Sequence, residues 1–279
     1  MCQYFVATVS VKIKPEYMTV RAAAVAGIFY PDNERALRSA VLAYVAQAKP
    51  EGAIPKALIA PHAGYQYSGP VAGTAYALLA PRRDAIARVV LIGPSHRVGF
   101  VGLALPEASA FSTPLGDVAL DTAAIDRVRG LPQVIVSTHA HRHEHSLEVH
   151  LPFLQETLGP FSLVPLLTGD ATPAEVGAVI EELWGGPETL IVVSSDLSHY
   201  HDYATAARMD AATSAAIEAL RDEDIADDHA CGAVAIRGLL WAARRRGLRA
   251  RLLDLRNSGD TAGPKDRVVG YGAYAFADA

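Results

Sequence analysis

Three short apolar segments, each typical of a strand that is buried on both faces, run directly into polar turns that carry a histidine. The segments are 57–60, 89–92 and 190–193, and the histidines that follow them are His62, His96 and His199. Parallel strands end at the same edge of a sheet, and α/β proteins bind their ligands outside the carboxyl ends of the strands. The pattern therefore predicts one site lined by all three histidines.

The rest of the chain alternates segments of strand character with segments of helical periodicity. Asp32 or Asn33 can cap a helix over 34–48, whose apolar residues fall on one face. We find no linker-like break and no internal repeat. The sequence predicts an α/β fold with a mostly parallel central sheet flanked by helices, in a single domain over residues 18–279. Residues 1–17 alternate weakly and form either an extra edge strand or an N-terminal extension.

Composition limits the class of partner and the compartment. The 279 residues carry a formal net charge of −5, and the basic triplet 244–246 ends a predicted helix, where cations are favourable. We therefore expect no binding to nucleic acid. No apolar run is long enough to span a bilayer, and the N-terminus does not resemble a signal peptide. With only Cys2 and Cys231 present, we expect a cytoplasmic protein without a structural disulfide or membrane association.

A catalytic metal centre typically combines two histidines with a third ligand and leaves a coordination position open. His62 and His96 are the predicted pair. The candidates for the third ligand are Cys231, Glu148, Asp196 and His199. Cys231 precedes a predicted helix, whose N-terminus would lower the thiol pKa and favour a thiolate. Asp196 lies three residues before His199 and could orient its ring.

Two other patterns need an explanation. Ser194, Ser195 and Ser198 lie near histidine and aspartate, the residue types of a serine-hydrolase triad, but no G-x-S-x-G motif surrounds them. A hydrolase is therefore disfavoured. Histidine also recurs at every second position over 139–145, which as a strand would place four imidazoles on one face. Such a tract can bind metals adventitiously.

Seven motifs, taken in order from about residue 21 to the C-terminus, resemble those of the Memo family. They are V-A-G-I-F-Y-P, P-H-A-G-Y-Q-Y-S-G, G-P-S-H, T-P-L-G, E-H-S-L-E-V-H-L-P-F, S-S-D-L-S-H-Y and A-C-G. The fold of that family is similar to the LigB-type class III extradiol dioxygenases, which use a non-haem iron. The resemblance therefore implies a LigB-like α/β fold and a metal site at the strand ends.

The resemblance also implies roles for individual residues. His62, His96 and Cys231 would line the metal site, and His199 would stand where the dioxygenases have a catalytic histidine, with Asp196 in the same motif. The dioxygenases use two histidines and a carboxylate, the set suited to Fe(II). Cysteine in the carboxylate position makes copper and zinc plausible beside Fe(II), the metal we expect first. The cysteine also argues against a ring-cleaving dioxygenase activity.

The fifth motif divides the histidine tract into two parts. Because that motif begins at Glu144, we expect His145 to approach the cleft as a third catalytic group, together with Glu148. The histidines before the motif are expected to be exposed and dispensable. They are His139, His141 and His143.

Two functional hypotheses follow. The first is a metal-dependent, redox-active oxidoreductase with a non-haem iron or copper site and an unknown substrate. The alternative is a non-catalytic module that recognises a small molecule, a peptide or a partner protein through a degenerate dioxygenase-like pocket. Bacterial and archaeal Memo proteins resemble one component of a gene group that includes a radical-SAM protein and an AMMECR-type protein. The resemblance therefore implies partners of these two types.

Overall fold

A computed structural model describes residues 19–49, 52 and 54–278, so the strand or extension expected over 1–17 lies outside the described residues. The helices are α1 (Glu34–Gln47), α2 (Tyr65–Ala77), α3 (Thr122–Arg129), α4 (Thr138–Arg142), α5 (Leu151–Thr157), α6 (Pro173–Glu182), α7 (Tyr203–Glu218), α8 (Ala233–Arg246) and α9 (Ser258–Thr261). The strands are β1 (Val20–Arg21), β2 (Ala57–Ala60), β3 (Arg88–Pro94), β4 (Leu103–Leu105), β5 (Ala110–Thr113), β6 (Gly116–Ala119), β7 (Val134–Val136), β8 (Ser162–Thr168), β9 (Thr189–Ser194), β10 (His199–His201), β11 (Leu248–Asn257) and β12 (Val268–Asp278).

The central sheet has nine strands in the order β10-β12-β2-β9-β3-β8-β4-β7, with β11 also paired to β12. The four central strands, β2, β9, β3 and β8, are mutually parallel. Both flanks turn antiparallel, where β12 pairs with β2 and β4 pairs with β8. The predicted α/β fold with a central sheet flanked by helices is confirmed. The sheet as a whole is mixed, because β11 and β12 are joined by a short connection and pair as an antiparallel ribbon.

The strands that precede the three histidines lie next to one another. All residues of β2 and β9 are buried, as the apolar runs predict for strands covered on both faces. Ala60 pairs with Ser194, and Ile92 pairs with Val193, so β2, β9 and β3 end at nearly the same level. The turns that carry His62 and His96 therefore leave the sheet at one edge, and the turn after β9 leads to His199, which is not in a turn as expected but opens the short strand β10.

Helices cover the sheet through close contacts that require small residues. A Cβ added to Gly238 of α8 would lie 2.3 Å from the side chain of Val176 on α6, which only glycine avoids. Helix α8 begins two residues after Cys231 and ends in the predicted basic triplet, followed by Gly247 at a φ of +69°. Its packing therefore sets the position of Cys231. Within the described residues, the helices are all too short or too polar to cross a membrane.

Candidate metal centre

A cavity of about 530 Å³ opens at the carboxyl ends of β2, β9 and β3. Five of the six residues predicted for the site line this cavity. They are His62, His96, His145, Asp196 and His199. The sixth, Cys231, lies behind His62 rather than on the cavity wall, and its Sγ is 3.4 Å from Nε2 of His62. The edge of the sheet that the sequence singles out is therefore the location of the largest concentration of imidazoles.

Three of the histidines form a compact cluster. One ring nitrogen of each of His62, His96 and His145 lies within 4.8 Å of the corresponding nitrogens of the other two. His62 is buried, His96 is exposed and His145 is intermediate, so the cluster is enclosed on one side and open to the cavity on the other. An arrangement with one open side is what a catalytic metal ion requires.

The orientation of His62 is set by a serine at the end of β9. Nδ1 of His62 is 2.6 Å from Oγ of Ser194, and this hydroxyl donates its own hydrogen to the carbonyl oxygen of Ser146 at 2.6 Å. The Ser194 oxygen must therefore accept a hydrogen bond from Nδ1–H of His62. We assign the tautomer on this basis, and it leaves the Nε2 lone pair facing the thiol of Cys231.

A single buried carboxylate, Glu144, orients the other two rings. Its Oε1 lies 2.9 Å from Nδ1 of His96 and 3.2 Å from Nδ1 of His145. The same carboxylate accepts hydrogen bonds from the backbone N–H groups of His96, His145 and Ser146. Carboxylates commonly hold metal-binding histidines in this way. Glu144 was not predicted as a site residue, although its position directly before His145 in the sequence was a signal for this role.

The protonation states suit metal binding. Burial would raise the pKa of Glu144, but hydrogen bonds and charge from His96 and the backbone N–H of Ser146 lower it to about 2. Burial lowers the pKa of His62 well below its ordinary value. It also lowers the pKa of His145 to about 4, against the opposing charge of Glu144. At neutral pH, Glu144 is therefore ionised. His62 and His145 are already neutral, so they can bind a metal without first releasing a proton.

The thiol of Cys231 differs from the expectation. Burial, together with the nearby Asp196 carboxylate, raises the pKa of Cys231 far above its ordinary value. The prediction that the helix N-terminus lowers the thiol pKa is wrong, because burial outweighs the N–H groups that face the sulfur, such as that of Asp196 at 3.3 Å. Without a metal, Cys231 is therefore a neutral thiol in contact with His62.

Asp196 and His199 also line the cavity. Oδ1 of Asp196 accepts the backbone N–H of His62 at 2.8 Å, which links the β9 turn to the β2 turn. Burial raises the pKa of Asp196 above its ordinary value, against this hydrogen bond and the charge of His199. The adjacent Tyr200 has a φ of +63°, a conformation uncommon for a bulky residue, and is 65% exposed at the cavity.

Glu148 does not approach the cavity, and that prediction is wrong. It is completely buried and pairs with the guanidinium of Arg21. It also accepts hydrogen bonds from the hydroxyl of Tyr30 at 2.5 Å and from the backbone N–H groups of Ala24 and Val25. This carboxylate is thus fully occupied in holding the segment before α1, which removes it from the candidate ligands.

Helix α4 covers the first part of the histidine tract, so the strand that would place all four imidazoles on one face does not form; Ser137 caps this helix by accepting a hydrogen bond from the N–H of Ala140. His139 and His143 are exposed, as expected. His141 is only 2% exposed, and its Nε2 lies 2.8 Å from the carbonyl oxygen of Ala104. The expectation that His141 is exposed is therefore wrong: a helix directs it into the core, away from its neighbours in the tract.

We expect His141→Ala to lower the free energy of unfolding by about 1–3 kcal/mol, because it leaves the buried Ala104 carbonyl without a partner. His143→Ala is the matched control and should change nothing, since that side chain is exposed. Neither variant should alter metal uptake. Denaturant unfolding and metal titration of both proteins test this, and a loss of metal affinity in His143→Ala would contradict it.

Comparison with known proteins gives a consistent result. The chain matches the family described as Memo-like protein over residues 21–275. A MEMO1 family protein of Archaeoglobus fulgidus is 35% identical over 271 residues, covering 90% of this chain and 97% of the relative. Another, from Aquifex aeolicus, is 33% identical over 265 residues, covering 91% and 98%. Among solved structures, uncharacterized protein JW3007 from Escherichia coli K12 aligns with a TM-score of 0.48 at 13% identity, over 80% of this chain and all of that one.

The resemblance inferred from the seven motifs is confirmed by these matches. The family match spans most of the sequence, and both relatives exceed 30% identity along nearly their whole length. The chain therefore belongs to the Memo family.

Proposed function

We propose that this protein binds a divalent transition metal through His62, His96 and Cys231 and uses the site for redox chemistry on a small molecule. The observation that carries the proposal is the orientation of the rings: Nδ1 of His62 and of His96 is hydrogen-bonded to Ser194 and to Glu144, and the Glu144 carboxylate also lies 3.2 Å from Nδ1 of His145. Each ring is left with Nε2 as its free ligand atom. Histidines that merely pack in a protein core have no need of this shared arrangement.

The position of Cys231 supports its place in the ligand set. Typical zinc–nitrogen and zinc–sulfur bonds in a tetrahedral site place the two ligand atoms about 3.5 Å apart. The observed distance from Sγ of Cys231 to Nε2 of His62 is 3.4 Å. His145 is the competing third ligand, because it belongs to the compact cluster. Imidazole and thiolate together favour Fe(II), our first expectation, or copper or zinc, over the oxygen-preferring Mg²⁺ and Ca²⁺.

The remaining residues would bind the substrate and move protons. A bound metal would supply Lewis acidity and, as iron or copper, one-electron chemistry. His199 and Asp196 both line the cavity, and the His199 imidazole is placed to accept or donate a proton there. If His145 is not a ligand, it provides a second such group. The resemblance to LigB-type dioxygenases supports this division of roles, with Cys231 in the place of their carboxylate.

We expect metal binding to release about one proton per ion at pH 7, because a thiol with a raised pKa must ionise to coordinate. Affinity should then rise about tenfold per pH unit near neutrality. His62 and His145 should not contribute to this slope, because their pKa values lie below that range. Calorimetry in buffers of different ionisation enthalpy measures the release. A pH-independent affinity that is equal in wild type and Cys231→Ser would assign His145 as the third ligand.

One observation favours the alternative, a binding module for a peptide or partner protein. Tyr200 at the cavity is 65% exposed, and Ile28, next to the cavity residue Phe29, is 76% exposed. An exposed aromatic side chain on a cavity wall, with an exposed apolar residue next to another wall residue, suits a macromolecular partner. Partners of the radical-SAM and AMMECR types, proposed from the resemblance, would dock here. Metal content after purification without added metal separates the hypotheses, because a binding module needs no metal.

A further inference from the structure

His150 is a buried histidine of the E-H-S-L-E-V-H-L-P-F motif that the proposed ligand set does not use. It is 1% exposed, and its Nδ1 lies 2.7 Å from the hydroxyl oxygen of Tyr76, which is completely buried. The His150 ring stands edge-on to that of His62, with 6.5 Å between the ring centres. A polar histidine–tyrosine pair therefore lies in the core, directly behind the candidate metal centre.

The hydrogen bond has a definite direction. Within the described residues, Nε2 of His150 has no hydrogen-bond partner, and His150 is the partner found for the Tyr76 hydroxyl. If Nδ1 carried the proton, the tyrosine O–H would also lack an acceptor. The tautomer with Nδ1 unprotonated satisfies more groups, so Tyr76 donates to the lone pair of Nδ1.

This pair makes the folded state less stable than an apolar pair at the same place would. An unsatisfied buried polar group costs about 1–3 kcal/mol, and apolar residues of similar size would fill the same space without that cost.

The pair is also the first member of a continuous series of aromatic contacts. Tyr76 stacks on Phe153 with 5.2 Å between ring centres, Phe153 contacts Tyr65 at 4.9 Å, and Tyr65 contacts Tyr44 at 6.2 Å. Tyr44 is partly exposed and lines a separate surface cavity of about 440 Å³.

We propose that Tyr76 and His150 form a redox-active pair that relays an electron between the histidine cavity and the protein surface. In the oxidising step, Tyr76 loses one electron to a one-electron oxidant in the cavity, such as an oxidised metal ion. The Tyr76 O–H bond breaks, and the proton moves along the hydrogen bond to form an N–H bond at Nδ1 of His150. The products are a neutral tyrosyl radical and an imidazolium.

In the reverse step, a one-electron reductant at the surface supplies an electron through Tyr44 and Tyr65, and the proton returns from Nδ1 of His150 to re-form the Tyr76 O–H bond. Proton transfer to His150 makes the oxidation of Tyr76 easier, because it avoids a tyrosine radical cation. That cation is a far stronger acid than an imidazolium, even a buried one, so the proton moves to His150. A buried tyrosine without a base must keep that proton. The identity of the oxidant in the cavity rests on the proposed function. The redox activity of the Tyr76–His150 pair does not.

The test therefore uses the metal-free protein. Azide radicals, produced by pulse radiolysis, oxidise tyrosine by one electron, and the resulting tyrosyl radical is followed by its absorbance and by electron paramagnetic resonance of freeze-trapped samples. The variants are Tyr76→Phe, which removes the hydroxyl, and His150→Gln, which keeps an acceptor but cannot take up a proton. Tyr274→Phe is the matched control, because Tyr274 is equally buried but its hydroxyl is not hydrogen-bonded to a histidine.

We expect a long-lived tyrosyl radical in the wild type and in Tyr274→Phe, and its loss in both Tyr76→Phe and His150→Gln. A radical of unchanged yield and lifetime in Tyr76→Phe would overturn the proposal. An unchanged radical in His150→Gln would also overturn the proposal. This variant therefore provides the test if Tyr76→Phe fails to fold. Because no metal is present, these results do not depend on whether the cavity binds one.

Discussion

Replacing Glu144 with glutamine should weaken the binding of a divalent transition metal by about ten- to a hundredfold. The Glu144 carboxylate accepts a hydrogen bond from Nδ1 of His96 and lies 3.2 Å from Nδ1 of His145. Glutamine offers a single weaker acceptor and an amide that repels an N–H, so at least one ring loses its orientation and some basicity. Anaerobic calorimetric titration with Fe(II) measures the change.

The control for this variant is Glu188→Gln, directly before β9 and thus at the opposite end of the sheet from the cavity. It should bind metal as the wild type does. Glu144→Ala is less informative, because it also leaves the N–H groups of His96, His145 and Ser146 without their acceptor and threatens the fold. Equal Fe(II) affinity in Glu144→Gln and Glu188→Gln would show that Glu144 does not support the ligands.

Replacing Glu148 with alanine should lower the free energy of unfolding by about 3–5 kcal/mol, the largest stability effect we expect. The substitution leaves the buried guanidinium of Arg21 without its counter-charge and the hydroxyl of Tyr30 without its acceptor. It also frees the segment that carries Phe29, whose ring lies 4.7 Å from that of His145. Denaturant unfolding measures the effect.

The matched control is Glu34→Ala, which breaks the pair between Glu34 and Arg38 on the surface of α1. Exposed pairs of this kind contribute little, so no measurable loss of stability is expected. Glu148→Gln should fall between the two, because it keeps an acceptor for Tyr30 but removes the charge opposite Arg21. A loss in Glu148→Ala no greater than in Glu34→Ala would show that the buried network is not a major source of stability.

The features that local sequence determines were predictable. Runs of β-branched residues bounded by turn formers identify buried strands, and strands that end in similar turns place their side chains at one edge. The positions of His62 and His96 follow from that rule alone. Asn33 accepts the N–H of Ala36, as expected of a residue capping α1, because capping depends on a few neighbouring residues.

Features that depend on distant partners were not predictable. Glu148 turns away from the cavity because Arg21, 127 positions earlier, brings a charge into the core. His141 is buried because the carbonyl of Ala104 accepts its N–H, and no local pattern shows that bond. Alternating histidines suggest a strand, but a helix forms once Ser137 caps it. The antiparallel flanks of the sheet were likewise not predictable, because sequence periodicity identifies strands but does not show which strands pair or in which direction.

The central claim is that His62, His96 and a third residue form one metal site, and His96→Ala tests it most directly. His96 is the most exposed of the clustered histidines, so its removal should leave the fold intact. Anaerobic titration of the metal-free wild type with Fe(II) should show about one ion bound per chain, with no such binding by His96→Ala and unchanged binding by Glu188→Gln. Binding of equal affinity in wild type and His96→Ala, or no binding by the wild type, would contradict the account.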